Sequence, residues 1–157
     1  MMNQQQLRDG IDTVVILMME NRSFDHLYGS LRLPDYGKRA DVNGIDALDN
    51  FAYANSSPSN EPFYPFLAKD GPFVRDIPHG RDVVAVQLEL DADKNAQMDG
   101  FVRAYYADAQ TSGVITPPPM GILPPTEAPM SAFLAQNYTL CDNWFCPIPT
   151  SDRKSVV

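Results

Sequence analysis

Cysteine and positive charge are both scarce in this chain, and each scarcity narrows what the protein can do. The 157 residues hold two cysteines, Cys141 and Cys146. They stand five apart and lack the paired spacing of a zinc site. A disulfide between them has no further support in the sequence, and they are expected to be two small buried hydrophobes. Lys and Arg number 12 against 20 Asp and Glu, a formal charge of -8. Nucleic acid or an anionic membrane surface would want a basic face, so the balance argues weakly against either as a partner, and no nucleic acid is expected. A phosphate substrate is not excluded, because a bound metal can reverse the local sign of a site.

Long apolar runs are missing too. No stretch approaches the roughly 20 residues that span a bilayer, so no transmembrane segment is expected. Residues 1–9 lack a basic start, and the apolar run Val14 to Met19 is followed by Glu20 where a signal peptide would need a small-residue cleavage site. The expected location is therefore cytoplasmic. Glycine-rich phosphate loops, a Walker-type lysine, dinucleotide fingerprints and internal repeats are all lacking. Apolar residues make up 44% of the chain, enough for one domain with a core.

What is present gathers around residues 13 to 29. Val14, Val15 and Ile16 are β-branched, so the apolar run reads as a buried strand, although its period alone also fits a buried helix segment. Asn21 or Ser23 can cap a following helix with Phe24, Leu27 and Tyr28 on one face and Gly29 at its end. This arrangement places Glu20 and Asn21 at the C-terminal end of a strand, where open α/β sheets hold their ligand chemistry. A carboxylate beside an amide oxygen suits a divalent cation, although two ligands are too few and the plainer roles are a surface acid and a helix cap. Arg22 and Asp25 can brace the helix start. His26 is expected to be solvated or capping rather than a ligand or acid–base group. His79 is the better histidine: a Pro78-His79-Gly80 turn presents it from a loop, with Arg81 near enough to attract an anion.

Residues 29–44 read as loop, with Lys38 to Asp41 a solvated turn and one helical turn possible near residues 44–51. From Ala52 to Pro78 a long loop rich in Asn, Ser, Pro and Gly is interleaved with aromatics, which predicts a functional segment anchored on the body. Ordinary packing is the simpler role for those rings. An apolar entrance in transient contact with a lipid surface is the alternative. Asp82 to Leu90 fits a strand and a helix equally well. Met98, Phe101, Ala104 and Tyr105 predict a helix with Asp99 at or near its cap. Residues 111–129 read as loop. Met130, Phe133 and Leu134 then recur at helical spacing and predict a second helix, with Thr126 a plausible cap and Met130 a core filler. Tyr138 to Phe145 reads as a strand. Two strands and three helices are thin for a closed α/β domain.

Four blocks, at Val15 to Gly29, Ile77 to Arg81, Met98 to Tyr105 and Met120 to Phe145, resemble the phosphoesterase family of bacterial phosphatidylcholine-type phospholipases C, plant non-specific phospholipases C and related acid phosphatases. The first, with Glu20-Asn21-Arg22-Ser23-Phe24-Asp25-His26, and the last, with Asn137 through Phe145, are the specific ones. The resemblance implies an α/β fold, here a partial α/β/α sandwich like that of alkaline phosphatase, truncated after its first strands and helices. It implies a divalent metal ion as cofactor, with Glu20 and Asn21 among its ligands, and His79 on the phosphoryl oxygens beside Arg81. The substrate would be a phospholipid or a small phosphate ester, and the nucleophile a Thr or Ser after the Trp144-Phe145 block. Thr150 and Ser151 stand near that place, yet the family's Pro-Asn-Arg ending is replaced by Ser-Asp-Arg-Lys. Residues 1–149 are therefore expected to be the N-terminal part of a phosphoesterase domain, and residues 150–157 a tail that departs from the pattern. By itself such a chain is expected to be inactive. A non-catalytic acidic α/β fragment that serves as a binding module is the alternative.

Overall fold

A computed structural model describes residues 3–17, 22–69, 77–107 and 118–145. The chain opens with helix α1, Gln4–Asp9. The polar lead-in hides a capping box: the Asn3 side chain accepts from the Gln6 amide at 2.8 Å, and Gln6 Oε1 accepts from the Asn3 amide at 3.0 Å. Helix α2 spans Phe24–Tyr28, capped by Ser23, whose hydroxyl accepts from the His26 amide at 3.2 Å. Beyond it the chain tightens into 3-10 turns at Gly29–Arg32 and Pro34–Tyr36.

The expected first strand is not formed. Ile11 to Leu17 have no regular hydrogen-bonded structure, and Val15 is 86% exposed. A strand needs a neighbour for its ladder, and among the described residues none pairs with this run. Met18 and Met19 lie outside the described residues. The strand expected over Tyr138 to Phe145 is likewise absent, and Trp144 is 84% exposed.

The pairing lies elsewhere, inside the segments that read as loop. Strands β1 (Asn55–Ser56) and β2 (Pro62–Phe63) form an antiparallel pair, Asn55 opposite Phe63. Strands β3 (Phe66–Leu67) and β4 (Gly121–Ile122) pair in parallel, Phe66 opposite Gly121. Two-residue strands escape detection by alternation, which needs four or more residues to show. The parallel pair requires a long crossover. That crossover carries helices α3 (Arg81–Leu88) and α4 (Phe101–Ala107), which pack on each other. Helix α3 resolves the ambiguous period, and it stops where Glu89 turns left-handed at φ 43°. Helices mixed with small sheets agree with an α/β class at this coarse level.

Helix α4 starts at Phe101, and its cap comes from far away. The Val102 amide donates to Asn55 Oδ1 at 2.9 Å, while Asn55 Nδ2 donates to the Met98 carbonyl at 2.8 Å. Asp99, the expected cap, instead accepts from the Ser56 amide at 2.6 Å and its hydroxyl at 2.8 Å. Together these bonds fasten β1 to the start of α4.

Helix α5, Pro129–Asn137, forms as predicted but turns its larger apolar side chains outward. Ala132 and Ala135 are its buried residues, and Phe133 is 52% exposed, with Met130 and Leu134 also outward. Alanines let α5 lie close against α2, and bulky side chains on that face would hold the helices apart. Thr126 does not cap it: Ala128 holds the cap position without a side-chain bond. The Lys38–Asp41 turn is tied down through Arg39, which pairs with Asp41 and donates to the Ala135 carbonyl at 2.8 Å. Leu33, Ile45 and Ile122 form a core cluster, with Tyr36, Leu48, Tyr53 and Leu67 packed around them. Cys141 is exposed, contrary to expectation, and Cys146 lies outside the described residues.

Candidate functional site

Of the six candidate residues, the structure describes two. His79 and Arg81 flank Gly80, the cap residue of α3. Gly80 offers no side-chain acceptor, so no side chain caps the first turn of α3 from that position. His79 is half-buried, and its Nδ1 lies 2.6 Å from the Ile77 carbonyl oxygen. A carbonyl only accepts, so this contact puts the hydrogen on Nδ1. Nε2 is then an acceptor when the ring is neutral and a donor when it is protonated. The turn is braced from inside the helix, where the buried Gln87 side chain donates to the Pro78 carbonyl at 2.9 Å. Arg81 is the first residue of α3 and is exposed. A positive side chain and a helix N-terminus at one place favour an anion, while Asp82 in the same turn opposes it.

Glu20 and Asn21, and the hydroxyl residues Thr150 and Ser151, lie outside the described residues. The residues that follow Asn21 are placed. Arg22 and Ser23 are exposed, and α2 begins directly after them. No cluster of three or more His, Cys, Asp or Glu able to hold a metal occurs among the described residues. Glu20 and Asn21, the pair that the family resemblance assigns to a divalent cation, are oxygen donors that suit a hard cation but leave its shell incomplete.

One residue on this motif behaves differently from its sequence reading. His26 is buried, at 6% exposure, where a solvated or capping side chain was expected. Its Nδ1 lies 3.0 Å from the Gly121 carbonyl of β4. Burial pushes its pKa below the ordinary 6.5, the Gly121 hydrogen bond opposes that shift, and Arg22 adds to it. Nothing local could have revealed this role, because the partner is 95 residues away. No described helix is long and apolar enough to cross a membrane.

Comparison with known proteins finds similarity along most of the chain. The model of the family described as Phosphoesterase family matches residues 11–154. Non-specific phospholipase C1 of Arabidopsis thaliana is 28% identical over 147 residues, covering 91% of this chain and 26% of that protein. Non-hemolytic phospholipase C of Burkholderia pseudomallei is 31% identical over 150 residues, covering 92% and 19%. Phospholipase C A of Mycobacterium tuberculosis is 29% identical over 156 residues, covering 89% and 27%. The chain thus spans about a quarter or less of the length of these relatives.

Proposed function

This chain belongs to the phosphoesterase family, and from that membership we propose that it serves the hydrolysis of a phosphoester, with a phospholipid phosphodiester as the substrate class. The family match over residues 11–154 carries the reading. The names of the relatives, phospholipases C of plants and bacteria, favour a phospholipid over a simple phosphomonoester. The finer fold in this reading is part of an α/β/α sandwich, with residues 1–149 as its N-terminal portion.

Each candidate residue has a role in the proposal. Glu20 and Asn21 supply oxygen ligands to a divalent metal ion, whose shell other donors must complete. When bound, that ion lowers the pKa of a hydroxyl and neutralises charge on phosphoryl oxygens. His79 and Arg81 meet the equatorial oxygens from the N-terminal end of α3. Thr150 or Ser151 supplies the attacking hydroxyl, in line with the leaving alcohol, which is diacylglycerol for a phospholipid. Water then releases the phosphoryl group.

The test is hydrolysis of p-nitrophenyl phosphate and p-nitrophenylphosphorylcholine by the purified chain, with and without divalent metals and chelator. Chelator-sensitive release that is lost in Glu20→Gln supports the reading. Thr150→Ala and Ser151→Ala then choose the nucleophile, and the preferred substrate separates phosphodiester from phosphomonoester. Metal-dependent binding of inorganic phosphate without turnover, weakened by His79→Ala and Arg81→Ala, supports the site and marks its ligand set as incomplete in this chain. A folded sample that shows neither turnover nor phosphate binding overturns the reading and leaves a non-catalytic acidic module.

A further inference from the structure

Gln87 belongs to none of the four blocks that carry the family resemblance, yet it joins two of them. It lies in the last turn of α3 and is 7% exposed. Its Nε2 donates to the Pro78 carbonyl at 2.9 Å, and its own backbone carbonyl accepts from the Gly100 amide at 3.2 Å. The first bond reaches the block Ile77 to Arg81, and the second reaches the block Met98 to Tyr105. We propose that Gln87 is a positioning residue for His79. It fixes the peptide between Pro78 and His79, and with it the direction in which the imidazole stands beside the N-terminal end of α3. The proposal rests on the reading of His79 as a group that meets phosphoryl oxygens.

The torsions of the turn show how. The His79 ring closes back on the Ile77 carbonyl at 2.6 Å, across Pro78. The pyrrolidine ring locks φ of Pro78, and the peptide planes on either side are rigid. The backbone between the two bonded groups then turns only at ψ of Pro78 and φ of His79. The Pro78 carbonyl swings with ψ, so a donor held against its oxygen sets that angle. Gln87 is such a donor, because its own backbone is held in turn. Helices α3 and α4 pack on each other, and the Gly100 amide bonds the Gln87 carbonyl. A Cβ on Gly100 would lie 3.0 Å from the Gln87 Cα. With ψ set from outside, the bond from the ring to Ile77 settles the remaining angle.

A bond that served stability alone would, once removed, lower the melting temperature and leave the ring as it was. A positioning bond must also change the ring. Without the constraint on ψ the imidazole does not stay on Ile77, and the hydrogen which that carbonyl keeps on Nδ1 is shared between the two nitrogens. A ligand met by a group already in place spends less on ordering it. Outer partners of this kind change affinity or activity by about tenfold or more.

The test uses the full chain labelled with nitrogen-15 histidine. His26 and His79 are the only histidines, and the His79→Gln spectrum assigns them by loss. In mildly alkaline solution wild type should show His79 as the Nδ1–H tautomer. Gln87→Met keeps the length of the side chain and removes the donor. It should give His79 a mixture of tautomers, leave His26 as in wild type, and bind inorganic phosphate with divalent metal roughly tenfold more weakly. An unchanged His79 spectrum in Gln87→Met overturns the proposal, as does a wild-type ring without the Nδ1–H tautomer; both leave the hydrolytic reading standing. Equal phosphate affinity beside an altered ring overturns it as well. Wild type that binds no phosphate overturns the hydrolytic reading instead, and the ring spectra still decide whether Gln87 fixes the turn. If Gln87→Met does not fold, hydrogen exchange in wild type decides. The Gln87 side-chain amide should exchange more slowly than those of the exposed Gln4 and Gln136, and equal rates overturn the proposal.

Discussion

Gly100 and Val86 meet backbone to backbone: a Cβ built on Gly100 would lie 1.8 Å from the Val86 carbonyl oxygen and 2.7 Å from its carbon. The Gly100 amide also donates to the neighbouring Gln87 carbonyl at 3.2 Å. This approach is how α4 starts directly beside the end of α3. No rotamer can relieve a clash with backbone, so Gly100→Ala must push the two helices apart. The expected loss is about 3 kcal/mol in urea unfolding, the upper end for overpacking. Gly80→Ala is the control, because a Cβ there meets nothing within 4 Å, and it should cost no more than about 1 kcal/mol at a cap position. Equal losses in the two variants would contradict the account.

The start of α4 depends on a side chain from β1. Asn55 is buried and uses both ends of its amide, accepting from Val102 and donating to Met98. Asn55→Ala should cost roughly 1–3 kcal/mol, the penalty for orphaning buried polar groups. Asn55→Asp keeps the acceptor but sets a carboxylate against the Met98 carbonyl, so it should not restore stability. Hydrogen exchange at the Val102 amide reads the cap directly, and unchanged protection in Asn55→Ala would show that α4 is capped otherwise.

Residues 91–97 are organised by a single carboxylate. Asp91 accepts from the amides of Asp93 and Asn95 at 2.9 and 2.8 Å, and from the side chains of Asn95 and Gln97 at 3.3 and 2.9 Å. The Asn95 backbone bond, helped by the other donors, holds the Asp91 pKa below the usual carboxylate value. For an acid depressed in the folded state, the stabilisation is present above the unfolded value near 3.8 and is lost as pH falls through the folded one. Asp91→Asn should therefore lower the Tm at pH 7, and the gap to wild type should close with acid. A Tm difference constant down to pH 2 would rule out the carboxylate as the organiser.

The exposed run Val14, Val15, Ile16 and Leu17 should make the chain adhesive. Apolar, largely β-branched and without a strand partner among the described residues, it has the features that template strand association. Ile16→Lys should reduce aggregation and hydrophobic-dye binding while changing stability by no more than about 0.5 kcal/mol, as for a surface position. Sedimentation velocity and thermal melts check both halves. A large drop in Tm would mean that Ile16 is packed in solution.

Much of the helical reading was legible in the sequence, for local reasons. Ser23 caps α2, and the apolar spacing near Phe101 and Met130 marks helices that do form. Faces and pairings were far less legible. The period of α5 was read correctly, yet its packed face is Ala132 and Ala135 rather than Met130, Phe133 and Leu134. Hydrophobicity ranks the larger side chains as core, whereas close approach to α2 selects the smaller ones. The two runs with the strongest strand character, Val14 to Leu17 and Tyr138 to Phe145, are unpaired among the described residues. The pairs that do form join dipeptides such as Phe66–Leu67 and Gly121–Ile122.

The family and its motif residues were thus determined by the sequence alone, because a motif is a matter of residue identity and order, and the match over residues 11–154 agrees with it. The tertiary structure decided what no local window contains: that His26 is buried against Gly121, that Asn55 caps a helix 47 residues further on, and that Gly100 must be glycine because of Val86. Each of these depends on two distant stretches of backbone coming within hydrogen-bond or contact distance. That proximity is a property of the packed chain, and residue type at either end does not encode it.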